Sequence, residues 1–321
     1  MSASKPFLDV AVGVMINSDG EILLAQRPED KSWPGWWEFP GGKIESGETA
    51  KDALIRELKE ELDVTVTAAT PWVKFDYEYP KTKVRLAFFL VTAWDGEPQG
   101  LEQQLFAWTR VEKAAALGNL LPASLPPLQW LSLPPLYSIT PDLNPECAAE
   151  ELTTYLEQAL AKGVRLFQFR QPNWPKGSAC KELKVIFDGF MAQCHQHGVK
   201  LLVNSIHPRN WWTAADGVQL RATDAIALEE RPIPEDKLLG ISTHHLADIL
   251  YAQILKADFL VLGHIKETAS HPEVEPLGWE EFASLAEQAA RPVYAIGGLK
   301  PNDLNIARQY HAHGVAGISA F

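Results

Sequence analysis

Three glutamates define the chemistry open to this sequence. Glu57, Glu60 and Glu61 stand three and four residues apart within GGKIESGETAKDALIRELKEELDV, which runs from Gly41 to Val64. On a helix those spacings place side chains on one face. Like charges so arranged repel unless a cation lies among them, and an all-oxygen donor set suits a hard divalent ion, Mg²⁺ or Mn²⁺. Such an ion can polarise an anionic ligand and lower the pKa of bound water. The plainer account of the same cluster is a solvated acidic helix face.

The elements that must hold these glutamates are legible around them. Gly41 and Gly42 make a turn, a short loop follows, and the helix carries the acids. Upstream, the apolar run Phe7–Ile16, the turn Asn17-Ser18-Asp19-Gly20 and the run Glu21–Gln26 predict a hairpin. Arg27–Trp37, with prolines, glycine and three tryptophans, reads as an ordered loop. Strands are predicted over Trp72–Tyr79, Lys83–Trp94 and Phe106–Arg110, a short helix after Val111, and an amphipathic helix over Leu125–Leu131. Leu131-Ser132-Leu133-Pro134-Pro135 is a proline break. It divides the chain into a first domain, 1–131, a semi-rigid linker, 132–135, and a second domain, 136–321.

In the second part, β-rich runs alternate with helical patterns: Leu136–Ile139, Arg165–Phe169, Lys200–Asn204, Gly217–Leu220, Leu238–Ile241, Phe259–Leu262, Val293–Ile296 and Val315–Ile318. Eight such units in these residues imply a compact (β/α)₈ barrel. No eighth helix follows Val315–Ile318 within the sequence, so another surface is expected to cover that flank.

The totals set further bounds. The 321 residues suit two domains, and 46% hydrophobic content supports true cores. A net charge of -12 argues against a nucleic-acid polymer as partner, although a nucleotide can still bind where metal supplies positive charge. Cys147, Cys180 and Cys194 are odd in number and lack metal-site spacing, so they are expected to be reduced thiols in a cytoplasmic protein. The start MSASKPFLDV carries no secretory pattern, and no apolar run is long enough to span a membrane. Self-association is compatible with the sequence.

Gly42, Glu48, Arg56, Glu57, Leu58, Glu60 and Glu61 fall in the pattern G-x5-E-x7-R-E-U-x-E-E, where U is aliphatic. This resembles the Nudix box of the Nudix hydrolases, except that Asp63 stands where a glycine is usual. EFPGGKIESGET, Glu97-Pro98 after Trp94-Asp95-Gly96, and Pro122-Ala123 are similar to the MutT-type branch over about Leu8–Leu131. Those enzymes remove oxidised nucleotides, notably 8-oxo-dGTP, in support of DNA replication and repair. The resemblance implies an α/β/α sandwich in which the Gly41 carbonyl, Glu57, Glu60 and Glu61 hold metal. Glu102 would bind metal or activate water, Glu60 or Glu102 would serve as general base, and Arg56 would keep the glutamates in register. It also implies a nucleoside triphosphate substrate, with Arg27, Phe39 and Ser124 at the base. Ser124 stands where the branch usually has asparagine, and Thr82 where arginine is familiar, so the identity of the base stays open.

The second part resembles the thiamine phosphate synthase and thiazole tautomerase superfamily. The likeness rests on Tyr137-Ser138-Ile139-Thr140, Gln168-Phe169-Arg170, Asn204, Asp216–Leu220, Gly240–Thr243, Gly263–Thr268 and Ala295–Gly298. It implies that Arg170, Ser242, Thr268, Gly297, Gly298 and Ser319 cradle the phosphate of a thiazole or thiamine-related ligand. Pro172 stands where synthases carry lysine and Ser205 where they carry aspartate, while Asp224 keeps one metal-ligand position. Gly-His-x-x-Glu-Thr is the tautomerase form, with His264 as proton shuttle.

The expectation is therefore a Mg²⁺-dependent pyrophosphohydrolase of MutT type joined to a barrel of tautomerase-like or ligand-binding role. One rival is a thiamine-pathway device in which the first domain hydrolyses thiamine-related pyrophosphates. Another is a hydrolase whose barrel is a non-catalytic sensor or assembly module.

Overall fold

The computed structural model describes residues 5–101, 104–267, 274–318 and 321. The chain forms two compact units that divide between Leu133 and Pro134.

In the first unit, β1 (Phe7–Met15) is the axis of a four-stranded sheet with order β4-β1-β6-β5. It pairs parallel to β6 (Lys83–Asp95) and antiparallel to β4 (Gly41–Lys43), and β5 (Thr65–Glu78) runs antiparallel along β6. A second sheet joins β3 (Trp37–Glu38), β2 (Ile22–Gln26) and β7 (Phe106–Thr109). Helix α1 (Ala50–Leu62) buries Ala53, Leu54, Leu58 and Leu62 against Ala11, Met15, Phe89 and Val91. Gly13 permits this: a Cβ there would stand 3.1 Å from both Leu54 and Leu58. Phe88, next to Phe89, points to the other face. There it meets Phe39, Trp72 and Phe75, while Trp130 of α2 (Leu125–Leu131) packs edge-on to Trp72 and Phe75. The sheet thus has a helix on each face, as expected of the sandwich. A 3₁₀ helix over Val111–Ala116 is the short helix expected after Val111.

Three local expectations needed correction. The runs Phe7–Ile16 and Glu21–Gln26 meet only at the Ile16–Ile22 bridge and then enter different sheets, so they form no extended hairpin. β5 begins at Thr65 rather than Trp72, its added half holding alanines and Pro71 and broken by register shifts. The stretch read as loop up to the glycines contains β3, and the glycine turn itself is β4.

The second unit is a closed barrel of eight parallel strands. They are β8 (Leu136–Ile139), β9 (Leu166–Phe169), β10 (Lys200–Asn204), β11 (Gly217–Leu220), β12 (Leu238–Thr243), β13 (Phe259–Gly263), β14 (Val293–Ile296) and β15 (Gly314–Gly317). Outward residues such as Phe167, Phe169, Leu201 and Val203 pack under α3 (Ala148–Ala161), α4 (Lys181–Gln196) and the shorter helices. Inside, Tyr137, Phe259 and Tyr294 form an aromatic plug with centroids 5.2–5.6 Å apart. Phe321 is buried against Gly317.

Helix α1 is capped at both ends. The Thr49 hydroxyl accepts from the Asp52 amide, and the C-cap Asp63 adopts the left-handed conformation, φ 56° and ψ 27°. An aspartate there carries a steric cost that glycine lacks, partly offset by its ion pair with Lys59. Asp63→Gly is expected to raise unfolding stability by about 0.5–1 kcal/mol in a denaturant titration. Hydrolytic activity is expected to stay unchanged, because Asp63 lies off the acidic face.

Candidate active site

The face of α1 opposite the core presents the acids. Arg56 organises them. Its Nε and one terminal nitrogen grip Glu48 at 3.0 Å each, and that same terminal nitrogen also donates to the Lys43 carbonyl at 3.0 Å. The other donates to Glu57 at 2.9 Å and Glu60 at 3.1 Å. The Glu48 hydrogen bond, then that of Glu57, raises the pKa of Arg56 further above its ordinary value. Glu48 is lowered in turn, chiefly by Arg56 and then by the Glu45 amide. Arg56 is thus a fork that ties the loop to the helix and fixes two of the three glutamates.

The glycines supply the other half of the site. Gly42 faces Glu57 so closely that a Cβ would fall 2.1–2.3 Å from the carboxylate atoms. The Gly41 amide donates to Glu61 at 3.2 Å, and Lys31 lies 4.0 Å from the same carboxylate. Gly41 has φ +143°, and a Cβ there would meet the Ala11 carbonyl at 2.2 Å. Pairing of Val12 with Gly41 and Ala11 with Gly42 fixes this turn to β1. The donor set, three carboxylates and a backbone carbonyl, fits a hard divalent cation. Among the described residues no three acidic, histidine or cysteine side chains close around a single point. Arg56 holds Glu57 and Glu60 on its own edge. Glu102 lies outside the described residues.

The expected base-binding residues are spread over three elements. Arg27 donates to Glu38 at 2.5 Å and to the Ser32 carbonyl at 2.5 Å. Phe39 is only 4% exposed and packs edge-on to Phe88, so it belongs to the core layer and offers little ring surface to a base. Ser124 is buried in the turn before α2, its amide bonded to the Leu121 carbonyl. The sequence reading passed over Glu38. The available signal was a charged residue set between two buried aromatics, Trp37 and Phe39. Burial pushes the Glu38 carboxyl up, although Arg27 acts to lower it.

At the barrel mouth a polar chain crosses the interior. Asn204 donates to Gln168 at 2.7 Å, Gln168 to the Tyr137 hydroxyl at 3.0 Å, that hydroxyl to Gln219 at 3.3 Å, and Gln219 to Ser242 at 3.0 Å. Burial lowers the pKa of Arg170, with Asp142 opposing and Arg221 adding to the shift. Asp224 is engaged by neighbouring side chains. Arg221 binds both its oxygens at 2.7 and 2.8 Å, and the Ser205 hydroxyl donates to one at 2.5 Å. Burial acts to raise Asp224, but Arg221 and Ser205 together leave it lowered. Gly297 and Gly298, at φ +105° and +66°, lie against His264 and Lys266, where Cβ atoms would clash. The Val274 carbonyl accepts from His264 Nε2 at 3.1 Å, which makes Nδ1 the basic nitrogen of the neutral ring. Thr268 and Ser319 lie outside the described residues.

The two adjacent glycines make opposite predictions. Gly42→Ala should displace only the flexible end of Glu57, leaving stability within about 1 kcal/mol while hydrolysis falls by roughly tenfold or more. Gly41→Ala meets backbone at positive φ and should cost roughly 2 kcal/mol or more of stability. Parallel denaturation and turnover measurements separate the two effects.

Known families match both units. The NUDIX domain family model matches residues 6–131, and the thiamine monophosphate synthase model matches residues 136–321. An 8-oxo-dGTP diphosphatase of Escherichia coli (strain K12) is 43% identical over 101 residues, 32% of this chain and 78% of that protein. The CTP pyrophosphohydrolase of the same organism is 37% identical over 118 residues, 37% of this chain and 87% of that protein. A protein of Aquifex aeolicus (strain VF5), named provisionally as thiamine-phosphate synthase 2, is 31% identical over 191 residues, 60% of this chain and 99% of that protein. The chain therefore belongs to two families at once, as a NUDIX hydrolase domain followed by a barrel of the thiamine monophosphate synthase family.

Proposed function

We infer that the first unit is a divalent-metal-dependent nucleoside triphosphate pyrophosphohydrolase, with 8-oxo-dGTP as its leading substrate, and that the barrel binds a thiazole or thiamine-related phosphate. The observation that carries the hydrolase reading is the Glu57 carboxylate lodged over Gly42 while Arg56 forks between Glu48, Glu57 and Glu60. A surface helix with merely solvated acids has no need of a glycine to admit one of them. The diphosphatase likeness supports an oxidised guanine nucleotide, and the CTP pyrophosphohydrolase likeness keeps a pyrimidine in view.

Glu57, Glu60 and Glu61, with the Gly41 carbonyl, would hold Mg²⁺ or Mn²⁺, and Glu102 is proposed to join them. When bound, the ion polarises the triphosphate and acidifies water. Glu60 is the most exposed acid of the three. Its Oε2 rests on Arg56, which leaves Oε1 to accept the proton of the attacking water. Attack at an internal phosphorus releases nucleoside monophosphate and pyrophosphate. Arg56 positions the acids, and Arg27 borders the base side.

For the barrel, a tautomerase-like or ligand-binding role is favoured over synthesis. Both Asp224 oxygens are already engaged, Ser205 is their partner rather than a second carboxylate, and Pro172 offers no ammonium. The backbone N–H groups of Gly297 and Gly298 are proposed to cradle the phosphate. His264 would exchange its proton at Nδ1.

Glu61→Gln should lower nucleotide turnover at saturating Mg²⁺ by on the order of a hundredfold, with unchanged unfolding stability. Near-parental turnover would contradict the assignment. The barrel should not couple a pyrimidine diphosphate to a thiazole phosphate at useful rates, and efficient coupling would overturn this part of the proposal. If the parent isomerises thiazole carboxylate phosphate, His264→Ala should abolish that step and spare nucleotide hydrolysis. An inactive parent would favour ligand binding alone.

A further inference from the structure

Arg56 directs its donors to Glu48, Glu57, Glu60 and the Lys43 carbonyl. Glu61, the last acid of the face, is held by other means. It stands in the final turn of α1, where carbonyls have no helical amide to bond. The loop between β6 and β7 supplies the missing donors. The Gln99 amide donates to the Leu62 carbonyl at 2.8 Å. The Glu61 carbonyl accepts twice, from the Leu101 amide at 3.0 Å and from Gln104 Nε2 at 3.1 Å. The acidic helix is thus closed at its C-terminal end by a side chain 43 residues downstream.

Gln104 is itself firmly set. It is only 9% exposed. Gly100 lets the chain return upon itself, since a Cβ there would stand 2.4 Å from the Gln104 carbonyl oxygen. The Leu105 carbonyl then accepts from the Gln26 amide of β2 at 2.7 Å. Among the described residues nothing donates to Gln104 Oε1, so the side chain grips the helix through its amide nitrogen alone. On the other side of Glu61, the carboxylate accepts from the Gly41 amide, and 13% of the side chain is exposed.

We propose that Gln104 is a positioning residue of the hydrolase: it fixes the last turn of α1 so that the Glu61 carboxylate is presented to the divalent ion. It does for Glu61 what Arg56 does for Glu57 and Glu60. A helix end whose carbonyls lose their partners frays, and a carboxylate carried on a fraying turn is a poorer metal ligand. A plain structural cap would make a different mark. Its loss would weaken the fold and leave the metal affinity of the folded protein untouched. The inference rests on the first unit being a metal-dependent hydrolase, and it adds a residue that the acidic motif does not contain.

Mn²⁺ binding to the full-length protein, followed by the paramagnetic resonance of the free ion without nucleotide, tests it. Gln104→Met keeps the length of the side chain and removes the donor. The Leu101 amide still serves the Glu61 carbonyl, and no buried acceptor is left behind at position 104, so the unfolding midpoint should move little. The dissociation constant for Mn²⁺ should rise roughly tenfold, the usual effect of losing a partner that orients a ligand. Gln104→Glu, which sets a carboxylate oxygen against the Glu61 carbonyl, should weaken binding at least as much. Where Gln104→Met fails to fold, Gln104→Asn takes its place, since its amide falls one methylene short of the carbonyl. Placed on top of Glu61→Gln, the same substitution should add less than a twofold loss, because its route to the ion is gone. A full tenfold loss in that background would show that Gln104 does not act through Glu61 and would overturn the inference. Mn²⁺ affinity unchanged by the Gln104 substitutions removes this inference alone. A parent protein that binds no Mn²⁺ removes the hydrolase reading and this inference with it.

Discussion

The fork of Arg56 is the interaction on which the arrangement of the first unit's acidic face depends. A helix that stacks Glu57, Glu60 and Glu61 on one face works against itself electrostatically. One guanidinium, planar and rich in donors, joins Glu48 in the loop to Glu57 and Glu60 on the helix and also reaches the Lys43 carbonyl. A lysine could satisfy only part of this set, because an ammonium is a point charge without the fork. The remaining constraint is steric. β4 brings Gly42 under Glu57, and only a residue without Cβ leaves space for the carboxylate. The core face of α1 then holds the acidic face in place, since Leu54, Leu58 and Leu62 cannot rotate out of the packing against β1 and β6.

The barrel solves a different problem. Its interior is plugged by Tyr137, Phe259 and Tyr294, and the polar atoms above that plug are linked to one another from Asn204 to Ser242. A connected network is stable where isolated buried amides would not be. At the mouth the same economy closes the Ser205–Asp224–Arg221 cluster on itself. A scaffold of the synthase family thereby keeps its architecture while Asp224 pairs with the exposed Arg221. Fold and chemistry are separable in this way because the site lives in strand-end residues that the packing does not dictate.

Long-period patterns were legible in the sequence; short or spatial ones were not. The eight barrel strands are buried apolar runs bounded by turns, and each expected range lies within two residues of the observed strand at either end. The acidic helix announced itself because three residue types at fixed spacing are informative locally. β3 and β4, at two and three residues, are too short for any periodicity and depend on pairing with β2 and β1. The first half of β5 was hidden because Ala68, Ala69 and Pro71 carry little strand propensity, and β6 imposes the pairing from outside. Which partner a carboxylate takes depends on its neighbours, and the pairing of Asp224 with Arg221 and Ser205 was not legible in the sequence pattern. Glu38 pairs with Arg27 only through the fold, so no spacing could reveal it. No helix among the described residues is long and apolar enough to cross a membrane.

The central claim is that the acidic face of α1 directs water to an internal phosphorus of a nucleoside triphosphate. Hydrolysis of 8-oxo-dGTP and dGTP in ¹⁸O-labelled water with Mg²⁺, followed by mass analysis of the products, tests it most directly. The account predicts nucleoside monophosphate and pyrophosphate in equal amounts, with one label in one of the two. Orthophosphate and nucleoside diphosphate as products, or the absence of turnover with Mg²⁺ and Mn²⁺ alike, would contradict it.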